Sequence, residues 1–139
     1  MEDTAARSFL ADHHQGVLVT IRGSGAPQTS NIAYHLGGDG VVRISVTADR
    51  AKTANLRRDP RAVLHVTGES FYQYVSAQGS VELSPVSSEP GDDTGQELLT
   101  LHDAVAPEPH PDPQEFLRAM VDDRRLVIRF TPERFTGMV

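Results

Sequence analysis

The sequence predicts an α+β fold in which six antiparallel strands close into a Greek-key-like barrel flanked by short helices. Three observations carry this reading. Runs rich in β-branched residues, such as GVLVTIR and VVRISVT, are separated by turn signals such as GSGA and GGDG. Most connections between these runs are short enough for hairpins, which favours antiparallel pairing. No run reads as a long polar edge strand, and a sheet of about six strands without one favours closure.

The elements follow in order. Thr4 to His13 carries a narrow apolar stripe of Ala5, Phe9 and Leu10 and is predicted as a helix capped by Thr4. Gly16 opens a strand that runs to Arg22, and Gly23 to Ala26 is a turn. Pro27 to Leu36 is extended, with proline tolerated only at its start. Gly37 to Gly40 is a hairpin, and Val41 to Thr47 is the returning strand. Arg50 to Asp59 is a helix with Asp49 as its cap, stopped by Pro60. Ala62 to Thr67 is a strand. From Phe71 to Leu83 a period of two places Val75, Ala77, Val81 and Leu83 on one face and Tyr72, Tyr74 and Gln78 on the other, with a bend expected at Gly79. A polar loop leads to a helix over Thr94 to Val105. After a Pro-rich connector, Asp112, Pro113 and Glu115 open a helix that reaches about Val121. Arg125 to Phe130 is the last clear strand, and the tail TPERFTGMV packs back onto the domain.

At 139 residues the chain is read as one domain, 1–139, long enough to bury a core without staples. It has no cysteine, which excludes a disulfide framework, a thiolate nucleophile and a Cys-based metal site. The opening MEDTAARSFL lacks a signal-peptide apolar core, and no apolar run approaches the ~20 residues that span a bilayer. A soluble, cytoplasmic protein is expected. The net charge of −6 disfavours nucleic acid and anionic membranes as partners.

Several motifs fail. GSGAPQ lacks the third glycine of a dinucleotide fingerprint and precedes an extended segment. There is no P-loop and no G-x-S-x-G elbow, and the six histidines show no H-E-x-x-H spacing. What stands out is charge. Five of the 13 basic residues, Arg50, Lys52, Arg57, Arg58 and Arg61, lie between positions 50 and 61, and Lys52 is the single lysine of the chain. Arg50 and Lys52 fall where a strand ends and a helix begins, where free backbone N–H groups and the positive dipole end favour an anion. Residues two apart in a regular helix diverge by about 200°, so both reach one phosphate only if Arg50 lies at or before the first turn. On these grounds alone, phosphate binding and a solvated cationic face both stay open. Arg57 and Arg58 suit the helix C-terminus.

The stretch TADRAKTANLRRDPRAVLHV, preceded by GAPQTSNIAYHL and followed by FYQYVSAQGSVELSP, resembles the pyridoxamine-5′-phosphate-oxidase-like split-barrel superfamily, most closely its F420-dependent actinobacterial branch. The resemblance extends over nearly the whole chain, including RFTGM. It implies a split β-barrel of the FMN-binding type and a homodimer with shared cofactor sites. It implies an oxidoreductase that transfers a hydride between coenzyme F420 and a small conjugated acceptor. The alternatives are an FMN enzyme of the pyridoxamine-phosphate-oxidase type and a non-catalytic deazaflavin carrier. By the resemblance, Arg50 and Lys52 hold the cofactor phosphate, Thr47 and Thr53 add hydroxyl donors, and Asn55 fixes the loop. Gln28, Thr29, Ser30 and Asn31 lie along the ring system. Arg58, with Arg57 and Arg61, meets the anionic tail, and Tyr72 and Gln78 cover the site from the partner subunit. A proton source is sought among Tyr34, Tyr72, His35 and solvent.

Overall fold

The computed structural model describes residues 1–139. Four helices, α1 (Asp3–Ala11), α2 (Ala51–Arg58), α3 (Asp93–Val105) and α4 (Pro113–Asp122), flank one antiparallel sheet. Its strands are β1 (Gln15–Ile21), β2 (Pro27–Ala33), β3 (His35–Leu36), β4 (Val42–Thr47), β5 (Arg61–Thr67), β6 (Tyr74–Leu83) and β7 (Arg125–Met138). They are ordered β2-β1-β5-β6-β7-β4-β3. The two outermost strands, β2 and β3, are therefore neighbours in the chain, joined through Tyr34. Tyr34 is fully buried, and its hydroxyl donates to the Leu10 carbonyl at 2.8 Å, which fastens α1 over the joint. The sheet curls on itself, but β3 pairs with β4 only at Arg43 and Val42. Beyond that short pairing the rims of β2 and β4 are left apart, and the barrel is split there.

Inward-facing residues of the strands fill the barrel, among them Leu18, Ile44, Leu64, Val75, Ile128 and Phe130. A smaller cluster of Leu98, Phe116, Leu117, Met120 and Val127 seats α3 and α4 on the outside of β7. The sheet has seven strands where six were expected, because the extended segment from Pro27 breaks at Tyr34 into β2 and the two-residue β3.

Other boundaries also differ. Thr4 lies inside α1, whose cap position is Glu2. Asp49 does not cap α2: its carboxylate accepts the Thr47 hydroxyl at 2.6 Å, and Arg50 takes the cap position. Phe71 and Tyr72 sit in a turn closed by Gly68 N–H to Gln73 O, so β6 begins only at Tyr74. β7 continues to Met138, through Pro132 and Gly137, where only a tail packed back onto the domain was expected after Phe130. Pro132 falls at a register shift opposite Gly79, where the ladder does not need its missing N–H. A Cβ on Gly79 would lie 2.0 Å from the Thr131 carbonyl oxygen, so the expected bend is a bulge that only glycine fits.

Candidate cofactor site

A cavity of about 780 Å³ opens at the split. Three walls form it. β2 supplies Ser30, Asn31, Ile32 and Ala33. The end of β4 and the start of α2 supply Ser45, Val46, Thr47, Arg50 and Lys52. The helical wall brings Leu101, His102, Val105 and Ala106 from α3 and its end, with Phe116 and Met120 from α4, and Asp123 and Arg125 complete the rim.

One end is cationic. Arg50 occupies the cap position with an extended backbone (φ −74°, ψ 148°), so its side chain is free of the 200° divergence that a regular helix would impose on it and Lys52. No side chain caps α2, and the amides of Ala51 and Lys52 carry no backbone acceptor, which leaves two N–H groups at the positive end of the helix. The β4–β7 register sets Arg125 directly opposite Thr47, and its Nη1 donates to Ser45 Oγ at 3.2 Å. Lys52 is half-buried. Burial first, and then the charges of Arg50 and Arg125, push its ammonium below the ordinary lysine range. Neither Arg50 nor Lys52 forms an ion pair, and Asp123 meets Arg125 only at 3.7 Å. Three cations with so little counter-charge, in a chain of net charge −6, make an anion the natural occupant.

The rest of the cavity is largely apolar. Within it, Ser30 Oγ is buried without a hydrogen-bond partner. A hydroxyl orphaned on a cavity wall stands ready for a polar ligand atom.

The structure thus brings Ser30, Asn31, Thr47, Arg50 and Lys52 to one cavity. Thr53, Asn55 and Arg58 make internal bonds instead. Thr53 is fully buried and donates to the Thr47 carbonyl at 2.9 Å, fixing the strand end that presents Arg50. Asn55 Nδ2 donates to Thr20 Oγ1 at 3.1 Å, and Arg58 Nη2 donates to Asn55 Oδ1 at 3.1 Å and Ile21 O at 2.8 Å, which together moor α2 on β1. Gln28 accepts from Thr20 at 3.0 Å, and Thr29 is exposed; neither lines the cavity. Tyr72, 74% exposed, and Gln78, at the β6 bulge, lie elsewhere on the same chain. Arg125, Ser45 and His102 were missed in the sequence. Arg125 becomes legible only through the β4–β7 register, and His102 only through the seating of α3.

Comparison with known proteins gives a family and a fold. The family model described as pyridoxamine 5′-phosphate oxidase matches residues 3–138. A solved structure named F420 reductase is 26% identical, with a TM-score of 0.69, over 94% of this chain and 96% of that one. A conserved hypothetical protein of Mycobacterium tuberculosis is 22% identical, with a TM-score of 0.75, over 97% and 82%. A heme binding protein of Mycobacterium smegmatis is 24% identical, with a TM-score of 0.67, over 94% of this chain and 50% of that one.

Proposed function

We propose, because this chain belongs to the pyridoxamine 5′-phosphate oxidase family, that its cleft binds the phosphorylated deazaflavin F420 and that the protein is a reductase of small conjugated acceptors. The observation that carries the reading is the cationic end of the cavity, where Arg50, Lys52 and Arg125 converge on the open start of α2. A phosphate placed there receives a guanidinium fork, an ammonium point charge and backbone N–H groups. The 26% identity to a chain named F420 reductase, over nearly the full length of both, favours the deazaflavin over FMN.

Bound there, the deazaflavin supplies hydride chemistry that no side chain provides. The protein binds, orients and excludes water. Ser30 and Asn31, at the cavity wall, would contact the ring, whereas Gln28 and Thr29 lie further along β2, off that wall. Thr47 adds a hydroxyl near the phosphate. Thr53, Asn55 and Arg58 hold α2 in place. The outer face of β1 and β5 carries half-exposed Val17, Val19, Ile21 and Val63, a surface suited to a second copy of the chain. In that homodimer Tyr72 and Gln78 belong to the partner's site. A cytoplasmic, actinobacterial setting belongs to the same reading.

Titration with F420, FMN and hemin, followed by absorbance and fluorescence, tests it. F420 is expected to bind, and its reduced form to be oxidised only when a conjugated acceptor is present. FMN released from the purified protein would place it with the flavin enzymes, and deazaflavin binding without turnover would make it a carrier. A hemin Soret band with no deazaflavin binding would overturn the reading.

A further inference from the structure

We infer that His102 is the proton donor of this site, acting on an electron-poor acceptor seated against the helical wall. The inference rests on the hydride-transfer reading above. Hydride addition to a conjugated acceptor leaves an anion delocalised onto its oxygen or other terminal heteroatom, and completing the reduction requires a proton, which a donor near that heteroatom can supply. The proton sources expected from the sequence do not meet this need within the chain. Tyr34 is sealed in the core with its hydroxyl committed to Leu10 O. His35 faces a different hollow, beside Arg43 and Glu97, and Tyr72 stands on an exposed turn.

Among the residues lining the cavity, the hydroxyls do not titrate near neutrality. Asp123 is a carboxylate beside Arg125, and the cations at the phosphate end are turned to binding. His102 is the one imidazole on the cavity wall, and an imidazole can give a proton from one ring nitrogen and take one back at the other.

Its setting is that of a positioned group. The ring packs 5.1 Å from Phe116 and 5.3 Å from His110, which fixes its plane at the last turn of α3. Neither ring nitrogen is spent inside the protein. By contrast, Nδ1 of His13, of His14 and of His110 each engages a backbone group. The surrounding wall of Leu101, Val105, Phe116 and Met120 offers the ligand no other hydrogen bond. The acceptor class that fits is a flat, largely apolar molecule ending in a carbonyl, nitro or similar oxygen.

The step balances. With hydride supplied by a bound reduced deazaflavin, a C–H bond would form at the electron-poor carbon, the displaced π pair would move to the terminal oxygen, and His102 would give that oxygen its ring N–H proton. Solvent reprotonates the ring, and the oxidised cofactor sheds one proton to solvent.

The test measures F420 affinity and turnover of a conjugated enone for the wild type, His102→Ala and His102→Phe, the last of which keeps the stacking on Phe116. Both variants are expected to bind F420 within about twofold of the wild type and to lose roughly 100-fold in turnover, with added imidazole restoring part of the rate in His102→Ala. Turnover unchanged in His102→Phe, or a loss that only tracks weaker cofactor binding, assigns the ring to packing and overturns the inference while leaving the reductase reading intact. A wild-type protein that leaves reduced F420 unoxidised overturns both.

Discussion

Lys52 shows how a single side chain reports on its site. It is the one lysine of the chain, half-buried, with Arg50 and Arg125 beside it and no acidic partner. Burial and like charge destabilise the ammonium, and a bound phosphate would reverse the second effect. The ammonium form binds the anion, so affinity holds at low pH and falls as pH rises through the depressed ionisation of the free protein. The fall is expected at a lower pH than an ordinary lysine would give. Dissociation constants for F420 measured from pH 7 to pH 11 check this, and an affinity that stays flat until the usual lysine range contradicts it. Arg50, Lys52 and Thr47 were legible in the sequence because their convergence is local, a strand end and a helix start three residues apart. Arg125 and His102 were not, since they arrive from positions fifty or more residues away through pairing and packing.

At the scale of the element, what matters is how α3 is held over the cleft. Its start is capped by Asp92, which accepts from Gly95 N at 2.8 Å, as the polar, Asp-rich loop before it allows. Its body is tied to the sheet by Glu97. Arg129 of β7 donates to that carboxylate through Nη2 at 2.6 Å and Nε at 3.0 Å, and Arg43 of β4 through Nε at 2.8 Å. Hydrogen bonds from Arg129, with those from Arg43, outweigh burial and hold the Glu97 carboxyl below its ordinary range. A depressed folded-state ionisation contributes stability that is present above the unfolded glutamate value, about 4.3, and is lost as pH falls through the folded value. Glu97→Gln should therefore cost about 1–3 kcal/mol at pH 7, and the gap to wild type should narrow below about pH 4. Urea midpoints at pH 7 and pH 3 measure this, and a gap independent of pH removes the ion pair from the account. The tie itself was invisible in the sequence, where Arg43, Glu97 and Arg129 lie on three separated segments. The strands were easier to read: alternation located most of β6, and its glycine marked a bend at position 79 that the structure makes a bulge. The same alternation ran on into Phe71 and Tyr72, because a turn leaves no mark on a period of two.

For the molecule as a whole, topology makes the site. A sheet whose outermost strands are consecutive in the chain must curl, and a two-residue β3 leaves the closure incomplete. The opening between β2 and β4 is where the cavity lies, roofed by two helices inserted between β6 and β7. Closure was legible from strand count and hairpin spacing. Its break at Tyr34 was not, because the segment from Pro27 to Leu36 carries no turn signal; what breaks it is the burial of Tyr34 beneath α1.

Phosphate recognition at the start of α2 is isolated by a thermodynamic cycle. Binding of the deazaflavin nucleoside and of its 5′-monophosphate, which differ only in the phosphate, is measured by calorimetry for the wild type and for Lys52→Ala. The wild type should prefer the monophosphate, Lys52→Ala should weaken the monophosphate by about 5- to 150-fold, and the nucleoside should bind both proteins alike. If both ligands bind the wild type equally, or the substitution weakens both by the same factor, the cationic end of the cleft does not hold a phosphate and the central claim is wrong.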